Sequence, residues 1–308
     1  MNAQEAGIYF KGILANVDSS ILQVDFNQGF KIESFSEEEA QALFSLLEKI
    51  PKMAIAQKYF LHQNCLNFSE HRTYVISRSL ENISGHDSTV FSEVTRFDNE
   101  FVLGHLEPMI RLMRLFKEGD IRMPVKFYYQ VQNNGIQGTR RHESGRYISN
   151  EPYHLEASEM PVLRSFIQTM KLPFKRDFLH LAFENFELSY EISDMQLAFL
   201  VLMIGLETLL NSSSYEVRYR ISRNTAVLLG ENRGDSEEIF TQIKKLYDKR
   251  CKIVHSGRRR IIEKEDLLKL RDYLRRAIKE IHHIDKEKSE ITDLLDSLGF
   301  GEEIKRVT

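Results

Sequence analysis

Residues 176–210 read RDFLHLAFENFELSYEISDMQLAFLVLMIGLETLL, and this stretch predicts two helices joined by a turn at Ser193. The most apolar part, residues 197–206, is ten residues long and is followed by Glu207. A membrane-spanning helix needs about 20 apolar residues. We therefore interpret this run as a buried helix of a soluble protein.

The helical pattern continues toward the C-terminus. Further helices are predicted over residues 215–229, 236–255 and 263–283, and turn-forming residues separate them. Residues 286–308 are predicted to be a C-terminal tail with one short amphipathic segment over 291–298. Residues 176–285 are therefore expected to form an all-α domain.

The N-terminal 175 residues have a different pattern. They are rich in β-branched and aromatic residues, which predict strands over 9–17, 21–26, 30–35 and 125–132. Helices are predicted from a capping box at 36–39 and over 98–116, where Pro108 kinks the helix or splits it in two. Residues 74–76 fit either a strand or a helix, and the polar stretch 133–150 predicts a loop. The fold class is therefore α+β, with a mixed α/β region over 1–175 that we expect to sense or regulate.

Composition narrows the class of partner. The chain has 42 basic and 45 acidic residues, so contact with nucleic acid requires a local cationic patch. Two cysteines do not form a disulfide scaffold, and residues 1–5 do not resemble a secretory signal. We expect a cytoplasmic protein with no membrane partner. His62, Cys65 and His71 lack the paired spacing of a zinc site, so neither a metal nor a cofactor is predicted.

A cation interrupts the apolar stripe of the helix predicted over 236–255. Ile239, Ile243, Leu246 and Tyr247 form the stripe, and Arg250 occupies its next position. A guanidinium on an apolar face is costly unless it is paired or faces a cleft or interface. The only histidine of this helix, His255, follows five residues later, and on an ideal helix that step rotates the side chain by about 140°.

Other basic residues lie close to Arg250 and His255 in the sequence. Eight basic residues lie between positions 244 and 260, and four of them are predicted to bind RNA: Lys249, Lys252, Arg258 and Arg259. Their alternative role is to complement the helix dipole and maintain solubility.

The sequence LYDKRCKIVHSG, residues 246–257, resembles the signature of the HEPN superfamily and specifically of its ApeA-like branch. The GLETLL and RYRISRNTAVLLG segments, at 205–210 and 218–230, resemble the second and third helices of that branch. The resemblance covers roughly residues 176–285. One departure is Cys251, because the residue after the motif arginine is usually polar and a thiol is a weaker hydrogen-bond partner.

The resemblance implies a helical domain that commonly forms a homodimer, with the Arg-x4-His motifs of two copies facing one cleft. Many such proteins are metal-independent endoribonucleases of toxin, abortive-infection or antiphage systems, with an antitoxin or a phage-derived trigger as partner. Others bind RNA or protein without catalysis. By this resemblance Arg250 and His255 are the catalytic residues, and Glu207 and Cys251 support them.

The alternative to catalysis is structural. Arg250 would then pair with Glu207 in the core, and His255 would be a cation at a helix end. Alternatively, Glu207 would pair with Arg220 or Arg223. The one-turn spacing of Cys251 and His255 would also suit a thiol–imidazole nucleophile, but the chain offers no third orienting group.

Overall fold

A computed structural model describes most of the chain, and two compact units divide it at Met170–Lys171, close to the predicted boundary at 175. The first unit contains a sheet with helices, and every element described in the second unit is a helix, so the predicted α+β class is confirmed. The described residues are 7–36, 74–80, 92, 94–132, 135–143, 152–257 and 260–302.

The first unit is built on a five-stranded antiparallel sheet in the order β2-β3-β1-β4-β5. The strands are β1 Gly7–Ala15, β2 Lys31–Ser34, β3 Tyr74–Leu80, β4 Arg122–Gln132 and β5 Gly135–Glu143. The central strand β1 is buried because aromatic rings pack around Phe10, including those of Phe30, Phe97 and Tyr128. The strands predicted near residues 9, 30 and 125 are therefore confirmed, and the ambiguous residues 74–76 lie in β3.

Two predictions for the first unit are wrong. The strand predicted over 21–26 overlaps a 3-10 turn, Ser19–Gln23, because the Asp18 carboxylate accepts a hydrogen bond from the Ser20 backbone and caps it. The loop predicted over 133–150 contains strand β5, which pairs with β4. Residues 37–49, where a further helix was predicted, lie outside the described residues, as do His62, Cys65 and His71.

The predicted helix over 98–116 changes type along its length. A π-helical segment, Asp98–Leu106, continues directly into the α-helix α1, Glu107–Phe116. Pro108 lies in the first turn of α1, at the junction where the helix changes from π to α type. Helix α2, Met160–Thr169, follows and contributes Leu163 to the hydrophobic core of this unit.

The second unit contains six helices within its described residues. They are α3 Asp177–Glu191, α4 Met195–Leu210, α5 Val217–Leu229, α6 Arg233–Ser256, α7 Lys264–Ile284 and α8 Lys288–Ser297. The five helices predicted in this region are confirmed. Helices α3 and α4 pack together, as do α5 and α6, and α7 contacts all four.

The region predicted as a tail carries helix α8, which is part of the second unit. Ile291 and Leu295 of α8 are fully buried. The Arg223 guanidinium of α5 donates hydrogen bonds to the carbonyl oxygens of Leu295, at 2.7 Å, and Leu298, at 2.6 Å. These contacts satisfy carbonyl groups at the C-terminal end of α8, which have no partner within the helix.

Candidate functional site

Helix α6 carries both residues of the Arg-x4-His motif. The Asn232 side chain caps its start by accepting a hydrogen bond from the Asp235 backbone at 3.0 Å. Gly257 follows its end with φ 58°, a left-handed conformation that favours glycine, and its N–H donates to the Lys252 carbonyl oxygen. This end places His255 in the last turn, where its side chain is exposed.

Arg250 lies where the apolar stripe of α6 leaves the core. Ile243, Leu246 and Tyr247 are buried, whereas the Arg250 side chain is 24% exposed. One turn further, Val254 is 50% exposed. The guanidinium is therefore neither sealed in the core nor fully solvated.

Arg250 is paired with Glu207 of α4. Their Nε and Oε1 atoms lie 3.4 Å apart, a distance at the outer edge of a hydrogen bond, and Oε1 is buried without any hydrogen bond. The Tyr247 hydroxyl interacts electrostatically with the Glu207 carboxylate. The guanidinium carbon also lies 5.5 Å from the centre of the Tyr247 ring. Three side chains from two helices thus form one cluster.

Burial dominates the electrostatics of this cluster. It raises the pKa of Glu207, although the Arg250 charge and the Tyr247 hydroxyl act in the opposite direction. Burial also raises the pKa of Tyr247, and the negative charge of Glu207 raises it further. The pair with Arg250 is therefore an electrostatic contact in a partly dehydrated site, where charges interact more strongly than in water.

The contacts decide which arginine pairs with Glu207. Arg220 lies 3.4 Å from the Asp296 carboxylate, and Arg223 contacts the same carboxylate and the end of α8. The sequence left these two open as partners of Glu207. The structure pairs Glu207 with Arg250, the third partner that the sequence offered.

The other predicted site residues differ in their surroundings. Lys249 forms an ion pair with Asp266 at 2.5 Å, so its charge is already matched. Lys252 is exposed, and Cys251 is a half-buried free thiol. Arg258 and Arg259 lie outside the described residues. Of the four predicted RNA-binding cations, Lys252 is thus the one that the described chain presents directly to solvent.

His255 and Arg250 face different sides of α6. Because α6 is continuous from Arg233 to Ser256, the five-residue step between them corresponds to a rotation of about 140°. Arg250 faces α4 through its pair with Glu207. His255 instead continues a row of residues spaced by single helical turns, which is Lys244, Asp248, Cys251 and His255. One copy of the chain therefore does not direct both side chains to one small ligand.

The sequence analysis missed the residues on and next to α5 that lie beside the row from Lys244 to His255. Arg218 of α5 contacts Asp248 at 2.6 Å, next to the exposed Tyr215 and Tyr219. It also missed Tyr247 as a residue that interacts with the Glu207 carboxylate. The sequence feature that could have identified this surface is the group of aromatic and basic residues within 215–220. It was interpreted only as part of the helix that resembles the third helix of the ApeA-like branch.

No protein-family model, curated protein or solved structure matches the chain. Within the described ranges, no group of three or more His, Cys, Asp or Glu residues could hold a metal ion. None of the helices in the described part of the chain is long and apolar enough to cross a membrane.

Proposed function

We propose that the helical unit is a metal-independent endoribonuclease of the HEPN type, with Arg250 and His255 as its catalytic residues. The observation that carries this proposal is the position of Arg250, a partly exposed guanidinium held by Glu207 and Tyr247 on the helix that ends at His255. A cation that is fixed in direction and still accessible suits a phosphate ligand.

The residue types fit the chemistry of RNA cleavage. A histidine, which titrates near neutrality, takes the proton of the 2′-hydroxyl as a base or gives one to the leaving oxygen as an acid. Arg250 stabilises the charge that develops on the phosphorane. The products are a 2′,3′-cyclic phosphate and a 5′-hydroxyl. DNA resists cleavage because it lacks the 2′-hydroxyl nucleophile.

The active form in this proposal is a homodimer, because one copy does not aim both side chains at one phosphate. The second copy docks on the outer face of helices α3 and α4. Residues 195–206 of α4 contain no charged residue, yet four large aliphatic side chains of this face are about half exposed, namely Leu181, Leu188, Leu197 and Ile204. Glu207 lies one turn beyond Ile204, so this face is continuous with the Arg250 site.

The biological role that we propose is defence in the cytoplasm, as an antiphage, abortive-infection or toxin effector. The N-terminal unit would sense a trigger or restrain the nuclease, and an antitoxin or a phage-derived molecule would act through it. The resemblance of residues 246–257 to the ApeA-like HEPN signature supports this role.

A second candidate function is a non-catalytic module that binds RNA or a partner protein through the same surface. The observation that favours it is the Arg250–Glu207 pair itself, since a guanidinium with a carboxylate partner can serve structure alone. The thiol of Cys251 beside Arg250, where a stronger polar group is usual, also favours it.

One experiment separates the two functions. Purified full-length protein is incubated with total RNA in excess EDTA, beside the Arg250→Ala/His255→Ala double variant. The matched control is Lys245→Ala, which removes one exposed cation of α6. Cleavage by the wild type and the control, lost in the double variant, supports the nuclease. RNA binding without cleavage by any of the proteins supports the binding module.

A further inference from the structure

An aromatic and basic surface lies on the side of α6 that carries His255. We call it the tyrosine face, and its residues are Tyr215, Arg218, Tyr219, Phe240 and Lys244. Tyr215 is 79% exposed and Tyr219 is 53% exposed, which makes Tyr215 the most exposed large hydrophobic residue described. Two exposed rings this close in the sequence differ from the singly scattered apolar residues that are normal on a protein surface.

The tyrosine face is held in place by its neighbours. The Ser213 hydroxyl accepts a hydrogen bond from the Tyr215 backbone at 3.1 Å, which fixes the turn before α5. The Tyr219 ring packs edge-on against Phe240, with centres 5.9 Å apart. The Lys244 ammonium lies 5.7 Å from the centre of the same Phe240 ring. The Tyr219 and Phe240 rings are therefore positioned before any ligand arrives, which lowers the entropic cost of binding.

The tyrosine face is also connected to the proposed active site. Arg218 contacts Asp248, which lies in the row that runs by single turns from Lys244 to His255. Lys244 and His255 are eleven residues apart on one helix, a separation of about 16 Å at 1.5 Å per residue. A polymer that reaches His255 can therefore also contact the tyrosine face.

We infer that the tyrosine face binds the bases of single-stranded RNA next to the phosphate that is cleaved. This inference rests on the proposed function. Every base presents a flat face that stacks on an aromatic ring, and nearby cations accompany the phosphates. Lys244 supplies such a cation, whereas the charge of Arg218 is partly matched by Asp248. Paired bases in a duplex do not expose these faces, so the tyrosine face selects single strands.

The absence of tryptophan from the chain gives a direct test. Tyr215→Trp and Tyr219→Trp each introduce a unique fluorophore, and both are made in a His255→Ala background so that RNA is not cut. A short oligouridylate is titrated into each protein. The expected result is saturable quenching of tryptophan fluorescence, with little quenching by double-stranded RNA of equal length.

Affinity measurements in the same background complete the test. Tyr215→Ala/Tyr219→Ala should weaken oligouridylate binding about tenfold or more, because stacking contributes strongly for each base. Tyr215→Phe/Tyr219→Phe keeps the rings and should bind like the parent. If the oligouridylate binds but neither tryptophan is quenched and the alanine variant binds equally well, the tyrosine face is not the base site, and the proposed nuclease survives. If no RNA binds to any variant, both proposals fail. If the alanine variant changes only the solution mass, the face contacts a second copy and the inference is wrong.

Discussion

At the scale of single residues, the position of Arg250 could be predicted, whereas its pairing with Glu207 was one of several possibilities that the sequence left open. The stripe of Ile243, Leu246 and Tyr247 places Arg250 on the buried face from spacing alone. Which arginine pairs with Glu207 depends on how the helices pack, and the sequence left Arg250, Arg220 and Arg223 open as its partner. Their contacts with Asp296 follow from helix α8, whose packing no local pattern determines.

The Arg250–Glu207 contact should show measurable coupling. In a double-mutant cycle with Arg250→Ala and Glu207→Ala, we expect a coupling free energy of about 1 kcal/mol, because both side chains keep roughly a quarter of their surface exposed. Urea unfolding of the four proteins measures it. If the two substitutions change the free energy of unfolding additively, the Arg250 and Glu207 side chains do not interact energetically.

A second residue-scale prediction concerns His154. The Asp18 and Glu156 carboxylates raise the pKa of His154 above 6.5. A raised folded-state pKa contributes stability that is full below the unfolded pKa and is lost as pH rises through the folded pKa. The thermal midpoint of the N-terminal unit should therefore fall as pH rises from about 6 into the alkaline range.

The matched variant is His154→Gln, which keeps a hydrogen-bonding side chain without the titrating ring. It should lack this alkaline-side decline in the thermal midpoint. An identical decline in both proteins would assign the pH dependence to other groups.

At the scale of elements, the helices of the second unit were predictable and two parts of the first were not. Long segments with a 3.6-residue period and recognisable caps identify α3 to α7. Residues 21–26 have strand-forming side chains, but the Asp18 cap offers the preceding backbone a local alternative. The sequence of strand β5 is itself polar. Its strand conformation depends on backbone pairing with β4, which amino-acid composition does not reveal.

The start of α4 gives an element-scale prediction. The Asp194 carboxylate accepts hydrogen bonds from the Gln196 and Leu197 backbones at 2.9 and 3.0 Å. Asp194→Ala should lower the free energy of unfolding by about 1 kcal/mol, whereas Asp194→Asn, which also caps helices well, should cost less. Chemical denaturation measures both variants. Equal losses would mean that the side chain acts through its charge instead of its hydrogen bonds.

At the scale of the whole molecule, the division into two units could be predicted from the sequence. The predicted pattern changes from mixed strands and helices to helices alone, and the boundary was placed near residue 175. In the structure the division between the units falls at Met170–Lys171, within a few residues of the predicted boundary. The sequence identified an amphipathic segment over 291–298, but helix α8 was assigned to a tail because so short a segment does not by itself show that it packs into the domain. Its burial depends on tertiary contacts with α5.

The proposed dimer makes a whole-molecule prediction. Leu197→Glu/Ile204→Glu places charges on the outer face of α4 and should convert a dimer into a monomer in sedimentation measurements. RNA cleavage should fall with the loss of the dimer. The control is Val162→Glu, which charges an exposed aliphatic residue of the other unit. A wild type that sediments as a monomer and still cleaves RNA would rule out a two-copy site.

The most direct test of the central claim is the rate of RNA cleavage in excess EDTA by His255→Ala relative to wild type. General acid–base catalysis contributes about 10²–10⁴-fold, so the rate should fall by at least about 10²-fold while RNA affinity stays nearly unchanged. Cleavage by His255→Ala at the wild-type rate, or loss of wild-type cleavage on adding EDTA, would contradict the proposed mechanism.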